Sequence, residues 1–146
     1  MNASSIDWNL LVQAARDARN NAYAPYSSFS VGAAVLGASG RIYAACNVEN
    51  ASYGLTICAE RAAICAMIAD GERNLAAIAV VTEGPEPSPP CGMCRQVLAE
   101  FAEDVPVHLV SVTPGVMART TSLSKLLPEA FRPDMLPGPT ASGGRP

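Results

Sequence analysis

Four side chains in this sequence have the types and spacing of a reactive metal centre: Cys58, Glu60, Cys91 and Cys94. Thiolates suit zinc, a borderline-soft dication that they bind at about 2.3 Å. Cys91 and Cys94 lie three positions apart, about one helical turn, so both sulfurs can reach one ion. Cys58 supplies a third ligand if its segment lies beside theirs. Cys65 stands seven residues further along, about 10 Å away on a helix axis, and is excluded from the same site. Three protein ligands leave the fourth tetrahedral position open for water, as in a catalytic zinc site and unlike a closed structural one. Glu60 follows Cys58 by two positions, where it can reach that water without occupying the metal. It is the expected proton carrier.

The flanking pattern indicates the elements that must position these groups. Apolar residues recur at helical spacing from Asp7 to about Tyr23, where Pro25 ends the pattern. Ser30 to Gly37 and Arg41 to Val48, separated by Ala38, Ser39 and Gly40, predict a β-hairpin. The run Ile57 to Asp70, free of Pro and Gly, predicts a largely buried helix that starts at Cys58 and Glu60 and stops at Gly71. Leu75 to Thr82 predicts a strand, and the Pro-rich stretch Gly84 to Pro90 then leads through Cys91 into a helix reaching Ala102. Val105 to Val112 predicts another strand. A weak strand at Met117 to Thr121 and a short helix at Ser122 to Leu127 follow. Alternating strands and helices favour an α/β fold with helices on the faces of one mixed sheet. The reading is one catalytic domain over 1–131, then a Pro/Gly-rich tail at 132–146 expected to lack order.

Composition narrows the function classes. A formal net charge of −3 with no basic run leaves nothing to grip a phosphate backbone, so nucleic acid is not expected as a ligand. The first 30 residues lack a secretory pattern, and no apolar stretch approaches the roughly 20 residues that span a bilayer, so no membrane partner is expected. An odd count of five cysteines, two of them in a Cys-x-x-Cys pair, suits a metal in a reducing compartment, hence the cytoplasm. Cys46 and Cys65 read as small buried hydrophobes. His108, the only histidine, falls in the apolar run Val107 to Val110 and reads as a core or sheet residue, not a ligand.

Cys58-Ala59-Glu60 followed by Pro90-Cys91-Gly92-Met93-Cys94 matches the Cys-x-Glu and Pro-Cys-x-x-Cys signature of zinc deaminases. With Ala24-Pro25-Tyr26-Ser27, Phe29 to Ala33, Cys46 to Ala51, and Arg61, Arg95 and Gln96 in the same order, the chain closely resembles the cytidine deaminases of the small homotetrameric type with three Cys ligands. The resemblance runs from about Leu10 to Phe131. It implies a three-layer α/β/α sandwich around a mixed five-stranded sheet. It also implies Zn2+ and hydrolytic deamination of cytidine and deoxycytidine. By the same resemblance Phe29 packs on the pyrimidine, Asn47 and Glu49 hold the ribose hydroxyls, and Ala59 contacts substrate. Tyr53 and the Phe131 region would lie near a neighbouring subunit's site, which implies a homotetramer with shared active sites. Arg61 would donate hydrogen bonds to the metal-bound thiolates and draw charge from them. Rival readings are a deaminase of a modified nucleoside such as blasticidin S, and a non-catalytic zinc module used in assembly.

Overall fold

The computed structural model describes residues 6–137. Helix α1 (Trp8–Arg19) starts at Asp7, whose carboxylate accepts from the Leu10 N–H at 3.1 Å, a side-chain cap for one of the unpaired donors of a helix start. The helix is shorter than the sequence predicts. After Arg19 the chain turns, and the Tyr23 N–H donates to the Asn47 carbonyl at 3.0 Å while Tyr23 bridges to Val48. Pairing with a distant segment therefore overrides the helical periodicity that would carry the helix on through Ala22.

Strands β1 (Gly32–Gly37) and β2 (Ile42–Cys46) form the expected antiparallel hairpin. Its turn places Gly40 at φ 87°, a left-handed conformation that glycine adopts without steric cost. Helix α2 (Ala59–Ala69) is followed by β3 (Leu75–Thr82), α3 (Gly92–Phe101), β4 (Pro106–Ser111), β5 (Arg119–Ser122) and the short α4 (Leu123–Leu126). The last strand begins two residues later than expected and leaves Met117 exposed. Of the expected tail, a 3-10 turn forms at Pro133–Met135, and residues 138–146 lie outside the described residues.

The five strands make one sheet in the order β2-β1-β3-β4-β5. Only β3 and β4 pair in parallel, and the remaining pairs are antiparallel. Successive side chains on a strand point to opposite faces, and the two cores follow that alternation. Ala33, Val35, Ile78, Val80, Val107 and Leu109 pack with residues of α2 and α3 on one face. Ala34, Leu36, Ala77, Ala79 and Val81 pack with Leu11 and Ala15 of α1 on the other. The fold is the three-layer α/β/α sandwich on a mixed five-stranded sheet, and the metal-centre residues lie on the α2/α3 side. No helix among the described residues is long and apolar enough to cross a membrane.

The α1 layer sits unusually close to the sheet because the strand residues beneath it are small. A Cβ at Gly32 would stand 1.9 Å from the Ala15 carbonyl oxygen and 2.7 Å from the Arg19 Cβ, with helix backbone as the obstacle. Overpacking of this kind typically costs about 1–3 kcal/mol. Gly32→Ala should therefore lower the unfolding free energy by about 2–3 kcal/mol in a urea titration, whereas an unchanged midpoint would mean that α1 can lift off the sheet freely.

Candidate active site and metal centre

The two helix starts on the α2/α3 face converge. Cys58 is the residue that caps α2 and Cys91 the one that caps α3, both with extended backbone, and neither side chain bonds to its own helix. Cys94 lies in the first turn of α3 and is fully buried. Aligned peptide dipoles and unpaired N–H groups at both starts favour the thiolate form. The three Sγ atoms lie within 4.8 Å of one another, and Cys58 and Cys91 are 3.8 Å apart, too far for a disulfide. Ligands about 2.3 Å from one tetrahedral zinc would themselves be about 3.8 Å apart. The Cys58/Cys91/Cys94 group fits Zn2+.

Electrostatics support the fit. Hydrogen bonding from the Cys94 thiol, and less strongly from Cys91 and the Arg61 charge, holds the Cys58 thiol down to about 6, against the opposing effect of its own burial. The Cys94 thiol is pushed up, first by its bond to Cys58 and then by burial and the nearby Glu60 charge. Three sulfurs at this spacing cannot all be anionic without a cation between them. Glu60 is 5% exposed, and burial raises its carboxyl above the ordinary value. The Cys94 thiol donates to its Oε2 at 3.8 Å, a long contact even for sulfur. A buried carboxylate thus stands beside the sulfur cluster, and among the described residues no positive side chain is bonded to it.

A cavity of about 270 Å³ opens from this centre to the surface. Cys58, Ala59, Glu60 and Cys91 line it together with Phe29, Asn47 and Glu49, so most of the residues singled out from the sequence meet in one place. Asn47 is buried and braces the Phe29 segment. Its Oδ1 accepts from the Val31 N–H at 2.9 Å, and its Nδ2 donates to the Phe29 carbonyl at 2.8 Å. Glu49 accepts from the Tyr26 and Ser27 N–H groups at 2.9 and 3.1 Å and from the Ser27 hydroxyl at 2.5 Å. The hydroxyl bond chiefly holds its carboxyl below the ordinary value. Asn47 and Glu49 line the cavity, and each also fastens its own chain.

Arg61 donates to the Thr56 carbonyl at 3.0 Å, and its guanidinium comes within 3.9 Å of the Cys58 sulfur and 3.6 Å of Met93 Sδ. Among the described residues it therefore reaches one of the three sulfurs. Tyr53 does not line this cavity. It is 76% exposed on a 3-10 turn and meets Tyr26 edge to face at 5.7 Å. Cys65 corrects the sequence reading of a buried small residue, because it lies on the exposed side of α2, while Cys46 is half-buried. His108 sits on β4, away from the metal centre, with its ring 5.0 Å from Trp8 and Nδ1 2.7 Å from the Thr120 hydroxyl.

The sequence alone assigns Arg95 and Gln96 no role. Arg95 donates to the carbonyls of Pro90 and Leu126, both at 2.7 Å, and fixes the turn that presents Cys91. Gln96 donates to the Phe131 carbonyl at 2.8 Å. Thr56, Thr82, Ser88 and Pro89 also line the cavity, although no motif singles them out. For Arg95 the available signal is a long charged residue just inside a Cys-x-x-Cys helix. Nothing local marks Thr82, which arrives from a different strand.

A family model described as the cytidine and deoxycytidylate deaminase zinc-binding region matches residues 7–109, a span that contains all three clustered cysteines. The cytidine deaminase of Sporosarcina psychrophila is 45% identical over 127 residues, covering 86% of this chain and 92% of that protein. The cytidine deaminase of Mycobacterium tuberculosis (strain H37Rv) is 46% identical over 132 residues, covering 90% of this chain and 95% of that one. Among solved structures, the crystal structure of cytidine deaminase from Burkholderia pseudomallei shares 47% identity, covers 86% of this chain and all of its own, and superposes with a TM-score of 0.81. Agreement in sequence, in fold and across nearly the whole length of these relatives means that the chain belongs to the cytidine and deoxycytidylate deaminase family.

Proposed function

We propose that this chain deaminates cytidine and deoxycytidine hydrolytically, giving uridine or deoxyuridine and ammonia, from a single catalytic domain over 1–131. The observation that carries the reading is the Glu60 carboxylate, buried at the inner end of the cavity and beside the three-sulfur cluster. A volume of about 270 Å³ lies near the lower end of the range for small-ligand sites, roughly 300–1,000 Å³. That space suits one nucleoside.

Cys58, Cys91 and Cys94 would hold zinc, which would supply the Lewis acidity that makes water nucleophilic near neutral pH. Glu60 relays both protons of the attacking water in turn. The first passes to the ring nitrogen as the oxygen bonds to the amine-bearing carbon. The second, from the hydroxyl so formed, passes to the amine as the carbon–nitrogen bond breaks and ammonia leaves. Burial raises its proton affinity, which brings the carboxyl closer to the point where it can both accept and return a proton. Arg61 draws charge from the Cys58 sulfur, and the N–H groups at the two helix starts act in the same direction. Phe29 packs on the pyrimidine, and Ala59 forms part of the inner wall. Asn47 has a second amide hydrogen and Glu49 has spare lone pairs, which serve the ribose hydroxyls.

The same reading includes a homotetramer whose sites are completed by neighbouring subunits. It is supported by the exposed apolar side chains of Tyr26, Tyr53, Leu55, Ile57 and Met93, which border the cavity residues and the metal cluster. Exposed large apolar side chains gathered around a site suit a contact surface. A cytoplasmic location accords with five unpaired cysteines.

Glu60→Gln should lower kcat/KM for cytidine by about a thousandfold or more while zinc content stays unchanged, as read by ultraviolet absorbance and metal analysis. Retention of a tenth of the activity or more would remove Glu60 from the proton transfers. Cys58→Ala should leave the purified protein nearly free of zinc, whereas Cys65→Ala should keep about one ion per chain. Native mass measurement should give four chains, and the pair Tyr53→Ala with Leu55→Ala should shift the distribution to smaller species. A wild-type monomer with full activity would overturn the shared-site assembly.

A further inference from the structure

Exposure across the cavity defines a direction. Phe29 is 40% exposed and Ser27 lies in the open, whereas Ala59, Val80 and Thr82 are 0%, 1% and 2% exposed. The first two residues mark the mouth and the last three the floor. Val80 and Thr82 are two apart on β3 and so share the strand face directed at α2 and α3. Thr82 is the one polar side chain that the strand contributes to that floor. Its Oγ1 accepts from the Ser88 N–H at 3.5 Å, the long limit for such a bond, and among the described residues it donates to no acceptor. Ser88 and Pro89, which complete this wall, are the turn that leads into Cys91.

The turn is held from beneath. Gly84 donates to the Thr113 hydroxyl at 3.1 Å and accepts from the buried Ser111 hydroxyl at 2.8 Å. The wall opposite the mouth is therefore a braced surface, and interiors packed in this way feel the addition or removal of a single methyl group. On the reading above, the sugar of a nucleoside lies toward the mouth and the ring enters first. In a six-membered pyrimidine the carbon that bears the amine lies opposite the sugar-bearing nitrogen. Its two ring neighbours are a nitrogen and the 5-carbon. Glu60 serves the nitrogen edge, which leaves the 5-carbon edge for the remaining floor.

We infer that Thr82 is the specificity-determining residue that limits the size of the substituent on the pyrimidine 5-carbon, by closing the floor of the cavity against it. The inference rests on the proposed nucleoside deamination and concerns substrate choice within it. A methyl group fitted to or excluded from an apolar wall changes kcat/KM by about 10-fold to 200-fold, so the effect is large enough to measure as a ratio.

The test compares kcat/KM for 5-methylcytidine and for cytidine in the zinc-loaded wild type and in Thr82→Ala, Thr82→Ser and Thr82→Val. Thr82→Ser removes only the methyl group and keeps the hydroxyl bonded to the Ser88 N–H. Thr82→Val keeps the volume and removes the hydroxyl. The 5-methylcytidine to cytidine ratio should rise about tenfold in the Ala and Ser variants and stay within about twofold of wild type in the Val variant. A ratio that does not move in either Ala or Ser, or that moves as far in Val as in Ala, would overturn the steric assignment. A ratio is insensitive to the fraction of protein that folds, so a destabilised variant still reports substrate choice. Failure of the wild type to deaminate cytidine at all would instead strike the parent reading.

Discussion

Three sulfurs held within 4.8 Å of one another set the demand that the rest of this molecule meets. As thiolates they repel one another, so in that form the cluster is costly unless a dication sits among them. The chain concentrates its favourable fields there. Cys58 and Cys91 both occupy helix starts, Arg61 approaches Cys58, and α2 and α3 lie side by side on one face of the sheet. Glu60 inherits its character from the same place. It is on the first turn of α2 because Cys58 precedes that turn, and it is buried because α3 brings Cys94 against it.

The sheet supports this convergence through an uneven distribution of volume. The face toward α1 carries Gly32, Ala34, Ala77 and Ala79, so the helix lies nearly on the strand backbone. The opposite face carries Val35, Ile78, Val80, Val107 and Leu109, which pack against α2 and α3, and the cavity opens on this side, where Val80 and Thr82 line it. Its walls are loops, yet each loop is tied down: Glu49 and Asn47 fasten the segment from Tyr26 to Val31, Arg95 fastens the turn at Pro90, and Ser111 with Thr113 fasten Gly84. Polar side chains near the site thus serve rigidity and chemistry together, in keeping with the need to hold reacting groups to within fractions of an ångström.

Much is legible in the order of the residues. The spacing of Cys91 and Cys94 and the proximity of Cys58 to Glu60 follow from helical geometry alone, because neighbours within one turn are set by the backbone. The strand Leu75–Thr82, the hairpin and the helices after Cys58 and Cys91 are likewise readable, since their apolar periods are local. The family motifs carry the Phe29, Asn47, Glu49 and Ala59 positions to the same site, and all four line the cavity.

Tertiary structure decided what depends on residues far apart in the chain. It ended α1 at Arg19 by pairing Tyr23 with the Asn47 to Val48 segment, against the helical pattern. It turned Cys65 outward, a matter of which side of α2 meets the sheet. It also engaged both Asn47 and Glu49 in bonds to their own chain, placed Tyr53 away from this chain's cavity and brought Thr82 from β3 to the cavity floor. Local spacing specifies which side chains can share a helical turn or a strand face. Which faces meet, and what is left open between them, is fixed only when distant segments compete for the same buried surface.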